Sequence, residues 1–194
     1  MNSTIYGLIL TGGKSTRMGR DKSLLSYHGK PQIEHAHDLL YQYCSKVFLS
    51  KRKDQPAYKN FAFIDDIQQA EGIGPLGGIV SAMKTHPDVA WLILACDLPF
   101  VNETTLSKLV ACRDAKADAT AFMNTQDSLP EPLCAIWEAH ALGKIENFLA
   151  QGIQCPRKIL IKSKTTLIHQ DDPKWLDNIN TLDEYQKIPG VRLD

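Results

Sequence analysis

Glycines and cations follow the first apolar segment of the chain. The run Ile5–Leu10 predicts a buried strand, which breaks at Thr11-Gly12-Gly13 into a loop rich in basic residues, among them Arg17 and Lys22. Glycine lets main-chain N–H groups approach an anion without a Cβ in the way, and the cations neutralise its charge. The stretch is therefore suited to hold a polyphosphate.

Two familiar phosphate loops do not fit this stretch. The Walker pattern requires a glycine five positions before Gly13, and that position is Leu8. The dinucleotide pattern requires glycines separated by one residue, whereas Gly12 and Gly13 are adjacent. A phosphate loop here must belong to another family.

The first half of the chain alternates predicted strands and helices. A helix opens at Pro31 and another covers Ile79 to Met83. This alternation is typical of β-α-β units with a mostly parallel sheet. The most apolar short run, starting at Trp91, is expected at the sheet centre. The predicted strands after the first are Val47 to Leu49, Phe61 to Ile64 and Trp91 to Ala95.

Carboxylates follow two of these strands. Asp65 and Asp66 come after the third predicted strand, and Asp97 comes after the strand led by Trp91. Ligands of open α/β sheets bind beyond the carboxyl ends of the strands. We therefore expect the Gly12 loop and these carboxylates to share one crevice.

The second half is less regular. Asn102 is predicted to cap a helix, and Thr181 fits a capping box that opens a last short helix. Periodicity leaves Lys158 to Ile161 open between strand and short helix. The other predicted elements are strands at Ala119 to Met123, Leu133 to Trp137 and Thr166 to Ile168, and a helix through Leu142 and Leu149.

Composition limits the class of protein. The 194 residues suit a single domain, 1–194, and the 22 basic and 22 acidic residues give no net charge. This balance argues against nucleic-acid or anionic-membrane binding. No stretch is long enough to span a bilayer, and no signal peptide is evident. The five cysteines include no C-x-x-C pair, so we expect buried free thiols and a cytoplasmic location.

The N-terminal motif resembles a known family. Leu10-Thr11-Gly12-Gly13, followed by Arg17-Met-Gly-Arg-Asp-Lys22, is similar to the signature loop of the molybdenum cofactor guanylyltransferases, which are MobA-like nucleotidyltransferases. The resemblance extends from Ile5 to about Tyr185. It implies a Rossmann-like three-layer α/β sandwich with a mostly parallel central sheet, of the nucleotide-diphospho-sugar transferase type.

The resemblance also implies roles for individual residues. Arg17, Lys22 and Asp97 would be catalytic, with Asp97 holding Mg²⁺ and Lys22 contacting the phosphates. Asp65 and Asp66 remain alternatives, although Asp66 falls at the family's nucleotide-contacting position. For Asn180, the resemblance implies a position near the metal and the phosphates, but a role in the site and no role remain equal alternatives. The implied nucleotide-binding residues are Leu10, Thr11, Gly12, Gly13, Lys22, Ser50, Asp66, Gly77, Gly78 and Asp97.

Two further segments bear on the substrates. Gly74-Pro75-Leu76-Gly77-Gly78 matches the Gly-Pro-Leu-x-Gly loop of the guanylyltransferases, which points to guanine. Glu131-Pro132 lies where the family has a proline-containing stretch that faces the acceptor, and the family often carries a histidine or another polar residue before that proline. The acceptor-binding residues therefore stay open.

The implied reaction transfers GMP from GTP to the phosphate of molybdopterin, or of the molybdenum cofactor, and releases pyrophosphate. The alternatives are a molybdopterin cytidylyltransferase or a sugar-phosphate nucleotidyltransferase on the same fold, and a non-catalytic nucleotide-binding module. Whether a cofactor-delivery protein hands over molybdopterin is open.

Overall fold

A seven-stranded sheet forms the centre of the part of the chain that the structure describes. The computed structural model describes residues 4–11, 25–51, 58, 60–67, 72–179 and 182–186. The strand order is β3-β2-β1-β4-β6-β5-β7, and within this sheet β6 alone runs antiparallel to its neighbours. The predicted mostly parallel α/β fold is confirmed. The strands are β1 Ile5–Leu10, β2 Lys46–Lys51, β3 Phe63–Asp65, β4 Ala90–Ala95, β5 Ala119–Met123, β6 Pro130–Trp137 and β7 Thr165–His169.

Six helices accompany the sheet in the same residues. Helix α1 packs beside α3, and α2 packs beside α4. The segment from Lys158 to Ile161, which periodicity left open, lies in helix α5. The helices are α1 Gln32–Tyr41, α2 Pro75–Thr85, α3 Glu103–Ala111, α4 Leu142–Ala150, α5 Pro156–Lys162 and α6 Leu182–Gln186.

Strand β4 is the middle strand of the sheet, as predicted. All six of its residues are buried, because sheet neighbours flank it on both sides and helices cover it. Apolar residues along such a strand lose all contact with water, which is the main source of folding free energy. The carboxyl end of β4 is therefore firmly held, and Asp97 follows it directly after Cys96.

A capping box in the sequence determines where helix α3 begins. Asn102 caps α3: its Oδ1 accepts from the Thr105 N–H at 3.1 Å, and the Thr105 hydroxyl accepts from the Asn102 N–H at 3.3 Å. This capping box confirms the predicted N-cap. Thr181, the other predicted capping residue, lies outside the described residues, although α6 does follow it.

Buried ion pairs hold the edge of the sheet where β5 begins. Asp118, almost wholly buried, accepts two 2.7 Å hydrogen bonds from the Lys144 ammonium group and one of 2.8 Å from the Lys164 main-chain N–H. Beside it, Arg113 donates to both Glu138 carboxylate oxygens at 2.7 and 2.8 Å. Burial alone would raise the pKa of Asp118, but the Lys144 and Lys164 hydrogen bonds hold it below its ordinary value.

The depressed pKa of Asp118 predicts an acid-dependent contribution to stability. Its carboxylate stabilises the fold above the unfolded pKa of about 3.9, and the contribution is lost as pH falls through the lower folded pKa. We expect Asp118→Asn to lower the free energy of unfolding at pH 7 by about 1–2 kcal/mol. Urea titrations between pH 7 and pH 3 should show the difference from wild type shrinking, and a difference independent of pH would contradict the assignment.

None of the five cysteines, all of which lie in the described residues, forms a disulfide. The expectation that all are buried is wrong for Cys112 and Cys155, which are exposed on the helix-terminal segments after α3 and before α5. Burial raises the pKa of the Cys44 thiol to about 12, so that thiol stays protonated.

Within the described ranges, no helix has the length and apolarity needed to cross a bilayer.

Candidate active site

The carboxyl ends of β1, β2 and β3 are joined by side-chain hydrogen bonds. Thr11 directly follows β1, and its hydroxyl donates to the Ser50 carbonyl oxygen at 2.8 Å. The Ser50 hydroxyl in turn reaches the Asp66 carboxylate at 3.4 Å, a long contact. Because parallel strands end at the same edge, three residues distant in sequence line one side of a crevice.

The structure separates the two neighbouring aspartates. Asp65 is the last residue of β3; its half-exposed side chain forms a 3.1 Å ion pair with Lys51. Asp66 lies beside Ser50, and its main-chain N–H donates to the Lys51 carbonyl oxygen at 3.0 Å. Of the two, Asp66 is the one at the crevice formed by Thr11 and Ser50.

The first turn of α2 comes close to these strand ends. A Cβ built on Gly78 would lie 2.2 Å from the Ser50 hydroxyl oxygen and 3.0 Å from Leu10 Cδ2. The helix starts after Gly74, whose φ of 67° favours glycine. The positive end of the helix dipole therefore faces the strand ends, which favours an anion there.

The close approach at Gly78 is testable. We expect Gly78→Ala to displace Ser50 and Leu10, to destabilise the fold by about 1–3 kcal/mol, and to weaken about tenfold the binding of the nucleotide that the sequence resemblance implies. Equilibrium unfolding and titration with a fluorescent nucleotide analogue measure the two effects. Adding Ser50→Ala should recover part of the lost stability, because the atom 2.2 Å from the new Cβ is then removed.

Gly143 provides a matched control on another helix. A Cβ on Gly143 would meet no atom within 4 Å, and the residue lies in α4. Gly143→Ala should therefore stabilise the protein by about 0.5–1 kcal/mol and leave nucleotide affinity unchanged. Equal behaviour of the two glycine variants would contradict a specific approach at Gly78.

Asp97 lies at the same edge as Thr11. Strands β1 and β4 pair up to Leu10 and Ala95, and the next N–H, that of Cys96, donates to the Leu10 carbonyl oxygen at 3.1 Å. The Asp97 carbonyl oxygen accepts from the Ile179 N–H at 3.1 Å, which ties the C-terminal segment to this strand end. Of the predicted turn after β1, Thr11 is the residue that the structure describes, and it lies at the same sheet edge as Asp97.

A cleft of about 730 Å³ lies on the other half of this edge. It opens between the β5–β6 loop, α5 and the segment after β7. Phe100 and Ile179, from segments that flank Asp97, form part of its wall. Its polar lining residues are Asn124, Thr125, Gln126, Asp127, Glu131, Arg157, Gln170, Lys174, Asp177, Asn178 and Glu184.

Glu131 and Arg157 organise this cleft. The Glu131 carboxylate accepts from the Leu133 N–H and from Arg157, each at 3.0 Å, and Arg157 also donates to Asp127 at 2.9 Å. Burial raises the pKa of Glu131, the Leu133 and Arg157 contacts oppose that rise, and the charge of Asp97 adds to it. The contacts of Glu131 therefore join the start of β6 to α5 at this cleft.

Comparison with known proteins decides the family. The model of the MobA-like NTP transferase domain matches residues 7–166, which is most of the chain. The chain belongs to the MobA-like NTP transferase family. The resemblance inferred from the N-terminal motif is confirmed.

Individual MobA-like proteins show how far the likeness extends. A molybdenum cofactor biosynthesis bifunctional protein from Synechocystis is 40% identical over 95% of this chain, which spans only 53% of that relative. A molybdenum cofactor guanylyltransferase from Pseudomonas putida is 30% identical, with 90% of this chain and 92% of that protein covered. The molybdopterin-guanine dinucleotide biosynthesis protein A of Archaeoglobus fulgidus has a TM-score of 0.75 at 24% identity, covering 94% and 96% of the two chains. This last likeness concerns the fold.

The structure places some of the predicted MobA-like site residues and leaves others outside. Gly12, Gly13, Arg17, Lys22 and Asn180 lie outside the described residues, so their roles stay predictions. Sequence reasoning missed Arg157, since a single arginine on a short helix carries no signal of its own. The residues brought to one edge are Leu10, Thr11, Ser50, Asp66, Gly77, Gly78 and Asp97.

Proposed function

We propose that this protein is a molybdenum cofactor guanylyltransferase, which transfers GMP from GTP to the molybdopterin phosphate and releases pyrophosphate. The observation that carries the proposal is the crevice in which Thr11, Gly78 and Asp97 come from three separate segments to one strand-end edge. The names of the relatives from Pseudomonas and Archaeoglobus support the choice of nucleotide and acceptor. The Gly74–Gly78 segment, which the structure shows as the cap and first turn of α2, supports guanine over cytosine by resemblance.

The nucleotide is expected on the β1–β2–α2 side of the crevice. The close packing of Gly78 against Ser50 and Leu10 places the first turn of α2 directly at the strand ends, so a base bound at this edge can reach the main chain of both. The start of α2 and the loop cations Arg17 and Lys22 supply positive charge for the triphosphate. Arg17 and Lys22 would stabilise the leaving pyrophosphate.

Mg²⁺ fits Asp97 by the chemistry of its donor atoms. Magnesium at nucleotide sites binds one or two carboxylates and fills its other positions with water and substrate phosphates. The described residues contain no group of three or more histidine, cysteine, aspartate or glutamate side chains that could hold a metal alone. Asp97 would therefore hold the ion together with GTP. The chemistry that the bound ion supplies is neutralisation of charge at the α-phosphate.

The acceptor is expected in the cleft beside Asp97. Its lining is rich in oxygen acceptors, including the Asp127 and Asp177 carboxylates, and suits a heterocycle that displays N–H donors. The acceptor phosphate would then point toward Asp97. A phosphate monoester has a second pKa of about 6, so it attacks as a dianion and needs no general base. The residues of the site are required for in-line positioning and charge neutralisation.

Pyrophosphate release from MgGTP in the presence of molybdopterin tests the proposal. We expect release with GTP and formation of the guanine dinucleotide. Pyrophosphate release with CTP in place of GTP would favour a molybdopterin cytidylyltransferase. Pyrophosphate release only when a sugar phosphate replaces molybdopterin would favour a sugar-phosphate nucleotidyltransferase. GTP binding without release under all conditions would favour the non-catalytic module.

The cellular setting is part of the same proposal. Molybdopterin is the expected acceptor partner, and a delivery protein that hands it over is an expected but open partner. The five free thiols suit the reducing cytoplasm.

A further inference from the structure

A small cluster of side chains packs beside the candidate active site, apart from the main core. We call it the tyrosine cluster; it consists of Leu25, Tyr27, Ile179 and Tyr185, with Phe100 packed against it. The two tyrosine rings meet edge to face, with centroids 5.0 Å apart. The cluster joins the segment that follows the glycine loop to the C-terminal segment.

The two tyrosine hydroxyl groups of this cluster differ. The Tyr185 hydroxyl donates to the Ser26 carbonyl oxygen at 3.0 Å. The Tyr27 hydroxyl is buried and has no hydrogen-bond partner within the described ranges. A buried polar group without a partner costs free energy, so each such group calls for a physical reason.

Tyr27 lies in the cluster that contacts the Asp97 main chain. Ile179, a member of the tyrosine cluster, donates its N–H to the Asp97 carbonyl oxygen at 3.1 Å. Burial raises the pKa of Tyr27, and negative charge on Tyr185, Asp97 and Cys96 raises it further. His28, the next residue in the chain, contacts the Pro99 carbonyl oxygen through its Nε2 at 2.8 Å, so this segment lies against the turn that follows β4 and carries Asp97.

The other buried nitrogen atoms without a partner among the described residues belong to two indoles and to the His35 ring. The indole N–H groups of Trp91 and Trp137 also lack a partner among the described residues, but Trp91 is near the start of β4 and pairs with Trp137 on antiparallel β6. Both therefore lie at the edge of the sheet opposite Asp97. His35 stacks on His28, so His35 and Tyr27 both lie toward the Asp97 side, and of these two residues only Tyr27 belongs to the tyrosine cluster.

We propose that Tyr27 is a positioning residue for Asp97. Its hydroxyl donates a hydrogen bond to the Asp97 carboxylate when that carboxylate holds the metal, and so fixes the direction of the carboxylate oxygens. Carboxylates that bind metals are commonly held by such a donor, and loss of the donor typically weakens metal affinity or activity about 10- to 100-fold. The inference rests on the metal role of Asp97 in the proposed function.

The test compares Tyr27→Phe with Tyr185→Phe in the full chain. Both keep the aromatic ring, and each removes one hydroxyl group. The measurements are the Mg²⁺ concentration that half-saturates binding of a fluorescent GTP analogue, the thermal midpoint without ligand, and kcat and KM for transfer.

We expect opposite patterns. Tyr27→Phe should raise the half-saturating Mg²⁺ concentration about tenfold and lower kcat more than it raises the KM for GTP at fixed Mg²⁺. Its thermal midpoint should stay the same or rise, because an unpartnered buried hydroxyl is removed. Tyr185→Phe should lower the midpoint by about 2–4 °C, since it loses the bond to Ser26, with unchanged Mg²⁺ dependence.

The outcomes separate the inference from the function on which it rests. If wild type binds GTP with a Mg²⁺ requirement and Tyr27→Phe keeps the same requirement, the role of Tyr27 is wrong while the proposed function stands. If wild-type binding does not depend on Mg²⁺, both the metal role of Asp97 and the role of Tyr27 are overturned. A lowered midpoint with unchanged Mg²⁺ dependence in Tyr27→Phe would show a purely structural hydroxyl and also overturn the inference.

Discussion

Asp97→Asn should lower kcat/KM for GMP transfer at least about a thousandfold. Asparagine keeps the shape of the side chain but removes the charge that would hold Mg²⁺ at the α-phosphate, and metal stabilisation of phosphoryl charge is worth several kcal/mol. The free energy of unfolding should change by less than about 1 kcal/mol. Steady-state pyrophosphate release at saturating Mg²⁺ and urea titration measure the two quantities.

Asp118→Asn is the matched control for that variant. It is the same chemical change at a buried aspartate, but Asp118 precedes β5 and so lies at the opposite edge of the sheet from Asp97. It should lose stability and keep near-normal turnover. Near-normal turnover in Asp97→Asn, or equal kinetic loss in both variants, would remove Asp97 from the site.

Lys22→Ala should lower kcat/KM about a hundredfold. The family resemblance puts this lysine on the triphosphate, and a charge-assisted hydrogen bond to phosphate is worth about 1.5–3 kcal/mol. Stability should change much less than turnover. Single-turnover kinetics with MgGTP distinguish loss of GTP affinity from loss of the chemical step.

Lys46→Ala is the control for a lost lysine. Lys46 begins β2, at the edge away from Asp97, and its ammonium group lies 5.5 Å from the centroid of the Tyr6 ring. Its removal should leave transfer unchanged and cost less than about 1 kcal/mol of stability. If Lys22→Ala turned over GTP at the wild-type rate, the phosphate role of the glycine loop would be wrong.

The half of the edge proposed for the nucleotide was predictable because its residues follow strong strand signals. The apolar runs of β1 and β4 determine where these strands end. Parallel pairing then brings the two ends together, independently of the conformation of the loops that follow. Thr11 and Asp97 are therefore placed by sheet geometry alone. The choice between Asp65 and Asp66 required the structure, since it depends on which carboxylate turns toward Ser50.

The cleft proposed for the acceptor was not predictable in the same way. Its cleft depends on the contact of Arg157 with Glu131, which joins a helix to a strand, and neither partner has a spacing that indicates the other. The tyrosine cluster joins Tyr185 to Ser26, which are 159 positions apart, through one hydrogen bond. Such long-range contacts leave no periodic pattern in a single sequence.

A crystal structure of the protein with GTP and Mg²⁺ would show whether the nucleotide and the ion bind at this edge of the sheet. We expect the guanine beside Gly78 and Ser50, the triphosphate along the turn after Thr11, and the ion bound to an Asp97 oxygen and to phosphate. A nucleotide bound at another edge of the sheet, or an ion with no contact to Asp97, would contradict it.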